Sequence, residues 1–345
     1  MLRFFQRGFV FISVFSSMFI FAASGEAGIL FNETGGGFGG AVEVDQIEFG
    51  TGNALAVGGV TAVSDFGNGV STPFEVYYQA VVDSFKFAGI PQTSFMGSFS
   101  VVAAFTETVV AAGVDPITGE GTAKFALAST QSVNYFEVWD NGSATADNLD
   151  GTGFNTGTRV LWGEIVESGV AGIGDNIYRT NPNPDDAVAL DQFAPGDPTN
   201  NNYPGLLTAT GTGTSVLALN VNVIGVDPGY FPGSPEFFAF EFNVPIRNPF
   251  TQVDPSAQFL IRGSGDPSDS SVGVGTTLAG AGAPLDAILG IGGINGLSGP
   301  SFQVQTDGSA SFSGTVVPEP SAFMTFVSLG VFAGYGAYRR RRDLA

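Results

Sequence analysis

The chain is 345 residues long, 43% hydrophobic, and carries a formal net charge of −20. It contains no histidine and no cysteine, which rules out disulfides, His/Cys zinc sites and Ser-His-Asp or Cys-His nucleophiles. So acidic a surface repels phosphate backbones, and nucleic acid is not expected as a partner.

The first segment, 1–27, has the pattern of a signal peptide. Arg3 and Arg7 precede an uncharged run from Gly8 to Ala23, and Gly25-Glu26-Ala27 fits a small-x-small cleavage site. "GGGFGG" (35–40) satisfies G-x-G-x-x-G through Gly35, Gly37 and Gly40. No strand-loop-helix pattern follows it, so it is expected to be a flexible N-terminal segment, not a phosphate cradle.

Short apolar alternations separated by Gly, Asp, Asn and Pro dominate the body of the chain, with no helical period. Strands are expected at 74–87, 95–110, 122–139, 158–169, 212–226 and 235–246. "SFQVQTDGSASFSGTV" (301–316) is expected to be a hairpin turning at Asp307-Gly308. About ten such strands predict an all-β fold: a single β-sandwich of jelly-roll type over 28–316. Residues 28–317 hold six basic and 29 acidic side chains, a net charge of −23.

Two acidic insertions carry the candidate sites. Residues 138–163 place Asp140, Asp147 and Asp150 between Trp139 and Trp162. The aspartates form a candidate calcium site, although "ADNLDG" lacks the bidentate glutamate of an EF-type loop. The competing reading is an Asx-rich turn. The tryptophans are candidate sugar-stacking rings, or else core aromatics. Residues 181–205 add Asp185, Asp186, Asp191 and Asp197. No other cofactor is implied, and no catalytic motif picks a pair of carboxylates for glycoside hydrolysis, so the chain is expected not to be an enzyme.

At 317–345 the pattern changes. Val317-Pro318-Glu319-Pro320-Ser321 leads into an uncharged stretch from Ala322 to Tyr338, followed at once by Arg339, Arg340, Arg341 and Arg342. The stretch is expected to be a single transmembrane helix (322–338), at the lower edge of what spans a bilayer. The arginines would stay cytoplasmic, leaving the body outside. The prolines would hold the preceding segment extended and accessible. These features in this order resemble the PEP-CTERM sorting signal of Gram-negative-type bacteria. The resemblance implies an exosortase as partner, transient anchoring in the inner membrane, and release to the cell surface or extracellular matrix. It also implies a structural or adhesive component of extracellular polymer, with polysaccharide as a neighbour. The alternatives are a carbohydrate-binding module and a carboxylate-based glycosidase.

Overall fold

The structure is a computed structural model that describes residues 28–93, 98–167, 176–193, 203–232, 239–259 and 291–313. In chain order the strands begin with β1 (Ile29–Phe31), β2 (Val42–Val44) and β3 (Gln46–Val57). Helix α1 (Gly59–Gly67) comes next, then β4 (Phe74–Phe87), β5 (Ile90–Pro91), β6 (Phe99–Val114), β7 (Gly121–Leu127) and β8 (Asn134–Asp140). There follow β9 (Thr158–Glu167), β10 (Asn176–Thr180), β11 (Val188–Ala189), β12 (Leu207–Thr208), β13 (Gly211–Val226), β14 (Ala239–Asn248), β15 (Ile294–Asn295) and β16 (Phe302–Ser313).

The expected β-sandwich is overturned: the sheet closes on itself as an eight-stranded barrel in the order β3-β4-β6-β8-β9-β13-β14-β16. Every neighbouring pair around the ring is antiparallel, including the closing pair of β16 with β3. Alternating strands suit either architecture. What separates them is whether the last strand finds the first, which depends on tilt, stagger and coiling. Coiling comes from register shifts such as that between Phe49 and Asn53 on β3, or between Thr306 and Gly308 on β16. The expected turn at Asp307-Gly308 is therefore a bulge within one continuous strand.

Two further strands thicken the wall. β7 pairs with the second half of β6 and β8 with the first half, so together they form one interrupted partner. β10 joins β7 to the start of β13. The single long strand expected at 122–139 is thus split in two.

The barrel interior is apolar and its two ends differ. Ile47 and Phe49 on β3, Val82 and Phe85 on β4, and Val101 and Ala103 on β6 all face inward. One end is stoppered by phenylalanines: Phe31 stacks on Phe85 at 3.9 Å, and Phe99, Phe231 and Phe312 pack around them. The other end lies beneath α1, which no periodicity in the sequence had indicated.

Long segments wrap one side of the outer wall. Leu55, Tyr77, Val102, Ala104, Tyr135 and Trp139 point out of the barrel into a second apolar cluster, completed by Phe154, Leu190, Tyr203, Leu206, Phe250 and Phe259. Buried Ser256 fastens this wrap. It accepts from Gln79 Nε2 at 3.0 Å and donates to the Asn148 carbonyl at 2.8 Å, while its backbone N–H donates to Asn53 Oδ1 at 3.0 Å.

No transmembrane helix is found among the described residues. α1 has nine residues, and no helix there is long and apolar enough to cross a membrane. The span expected at 322–338, the signal peptide (1–27), the motif Val317–Ser321 and the cluster Arg339–Arg342 lie outside the described residues.

Candidate functional site

The α1 end of the barrel holds an open cavity of about 330 Å³. α1 contributes Val60, Val63 and Gly67, the β6–β7 hairpin Ala112, Gly113, Val114, Gly121 and Ala123, and β10 Tyr178 and Thr180. Phe125, Tyr178 and Phe302 form its floor and are shared with a second, narrower cavity of about 60 Å³ inside the barrel. Tyr178 stacks on Phe302 at 5.6 Å, and its hydroxyl accepts from Asn248 Nδ2 at 3.0 Å. Burial pushes the Tyr178 hydroxyl up to about 12, so it is protonated at neutral pH.

The space exists because of residue size. The stoppered end is filled with phenylalanine, whereas this end is lined with alanine and glycine between its few aromatic rings. No lysine or arginine lines either cavity; the one charged side chain is Glu107, 3% exposed, in the inner one. Composition and motif searching missed this site because its residues are small, apolar and drawn from four distant segments. The one local signal was the small-residue run in "AAGV" and "GTAKF" on either side of the hairpin tip.

The sequence-predicted residues lie elsewhere. Asp140 accepts from the Tyr230 hydroxyl at 2.6 Å and from Gly142 N at 2.8 Å. Asp147 Oδ1 accepts from Leu149 N at 2.9 Å and Asp150 N at 3.3 Å, closing its own turn. Among the described residues no group of three or more Asp or Glu side chains is placed to hold a metal ion. In the second insertion, Asp186 accepts from Asn181 and Asn183, and Asp191 from Phe193 N. Asp197 lies outside the described residues.

Trp139 is 4% exposed within the outer apolar cluster, and its Nε1 donates to Glu137 Oε2 at 3.0 Å. It offers no face to a sugar. Trp162 is half-buried, with the Arg159 guanidinium 4.4 Å from its ring centre. Arg159 also pairs with the fully buried Glu137 carboxylate at 2.8 Å. The two tryptophans thus flank a buried ion pair.

Asp147 does meet other acids in an open polar cleft of about 490 Å³, lined by Asp83, Asp147 and Asp254 with Thr51, Asn148 and Gln252. Burial, then the charges of Asp191 and Asp147, push the Asp254 carboxyl up to about 6. Burial, then Glu48 and Asp307, raise Asp83.

No protein family, curated protein or solved structure matches the chain.

Proposed function

We propose that the chain is an exported surface or extracellular-matrix protein, sorted by an exosortase through residues 317–345 and serving as a structural or adhesive component of extracellular polymer. The observation that carries this reading is the order Pro318-Glu319-Pro320, an uncharged stretch, then Arg339–Arg342. The folded body is consistent with it. The eight strands of the closed ring present no open edge to recruit further strands, leaving only short strands such as β5 outside it, and no disulfide holds it. The net charge of −23 over 28–317 keeps copies apart in solution. A carbohydrate-binding module draws no support from Trp139, whose ring is enclosed.

Intact-mass measurement on protein recovered from the cell surface tests the proposal. The expected C-terminus lies within 317–321, and Arg339–Arg342→Gln should leave the barrel folded but unsorted. Surface protein that still ends at Ala345 would overturn the reading.

A further inference from the structure

We infer that the α1 end of the barrel is a binding site for an uncharged, apolar small molecule, which enters beside the β6–β7 hairpin and rests on Phe125, Tyr178 and Phe302. Four observations lead there. The cavity, at about 330 Å³, falls within the range of pockets that enclose small ligands. Its lining is almost wholly apolar, with Thr122 and Thr180 as the only side-chain hydroxyls besides Tyr178. It is open, since Val114 in its wall is 64% exposed. And its floor is aromatic, since Phe125, Tyr178 and Phe302 separate it from the smaller cavity below and offer ring faces to a ligand resting on them.

The lining also selects the ligand's charge. A carboxylate, sulfate or phosphate head requires a cation or a cluster of N–H donors. Neither cavity is lined by lysine or arginine. The class that fits is a hydrocarbon chain or ring system whose polar group is at most a hydroxyl, which Tyr178, Thr122 or Thr180 can meet. Burying such a molecule removes apolar surface from water on both sides. The packing at the two ends supports a purpose for the gap, because the same barrel fills its opposite end with five phenylalanines.

The site can be closed without straining the backbone. A Cβ at Gly67 or Gly113 meets no atom within 4 Å, and neither glycine adopts a positive φ. Gly113→Leu or Gly67→Leu therefore adds a side chain at the cavity wall without a clash. The probe is the neutral dye N-phenyl-1-naphthylamine, titrated into the full chain by fluorescence, with circular dichroism confirming that each variant folds. We expect saturable binding to wild type and a Kd at least tenfold weaker in Gly113→Leu and in Gly67→Leu. Ile117→Ser, at the 92% exposed hairpin tip outside the lining, should bind as wild type does. 1-Dodecanol should displace the dye, and dodecanoate should do so at least tenfold less well.

Unchanged binding in both folded leucine variants would overturn the site, since the dye would then rest on the apolar end segments. Loss of binding in Ile117→Ser alone would overturn it in favour of surface adsorption. Displacement by dodecanoate as effective as by dodecanol would overturn the uncharged class.

Discussion

At the scale of single residues, the informative groups are charged side chains that the fold has covered. Asp254 is the clearest. Its Oδ1 is buried without a hydrogen-bond partner, and its carboxyl is pushed up to about 6, first by burial. In the unfolded chain the same group titrates near ~4. A folded-state value above the unfolded one means that Asp254 stabilises the fold at low pH and that this contribution is lost as pH rises from about 4 to 6. Asp254→Asn should remove the dependence. The stability difference between the variant and wild type should stay flat below pH 4, widen up to pH 6 and then level off. At pH 7 the variant should be the more stable by about 1 kcal/mol, a modest figure because the carboxyl is partly solvated, or about 2–4 °C in Tm. Urea titrations from pH 3.5 to 8 measure this directly; parallel curves for the two proteins would refute it.

At the scale of elements, the wrap is the part most dependent on close backbone approach. The turn at 147–152 reaches the strand-free segment 249–259 through Ala257 N, which donates to the Leu149 carbonyl at 3.1 Å. Gly151 stands at this junction with φ +70°, and a Cβ there would collide with the Gln258 backbone. Both the left-handed backbone and the contact exclude a side chain. Gly151→Ala should cost about 2–3 kcal/mol, combining backbone strain with displacement of the wrap. Hydrogen exchange should quicken at Ala257 while the amides shared by β3 and β4 keep their protection. Uniform loss of protection would show that wrap and barrel unfold as one unit. Much of the element scale was legible in advance: β4 coincides with the expected 74–87, and β13 begins within a residue of the expected 212–226. α1 was not, since a helix of nine residues carries too few turns to show a period above the surrounding small residues.

At the scale of the whole molecule, closure through β16 and β3 is the defining event. β16 completes ladders with both β14 and β3, so it is the seam of the cylinder. A chain ending at residue 301 lacks that strand and would leave β14 and β3 as two unpaired edges, which invite association between copies. It should aggregate on refolding, whereas a chain ending at residue 313 should refold as a single cooperative species. Light scattering with far-UV circular dichroism distinguishes the outcomes, and a monomeric, cooperatively melting 28–301 would contradict the seam assignment. The polarity of the wall belongs to this scale as well. Phenylalanine, valine and alanine face inward, while the outer face of β4 mixes Glu75, Gln79 and Asp83 with Tyr77 and Val81, which the wrap covers.

The sequence by itself indicated most of the ring strands, because alternation is a local property with period two and turn residues punctuate it, but it did not mark β3 (Gln46–Val57) or the break between β7 and β8. It determined the acidity of the surface, and its lack of histidine and cysteine excluded whole classes of chemistry. Only the tertiary structure decided between sandwich and barrel, since both bury one face of every strand and differ only in whether two strands far apart in the chain meet. It also decided the fate of polar positions: Asn53, Gln79, Gln303 and Glu137 alternate as a solvent face would, yet all are buried beneath the wrap or in an ion pair. The cavity under α1 is likewise a tertiary product. Alanine and glycine carry no chemical signature of their own, and they become a site only where closure of the barrel sets them around one unfilled volume.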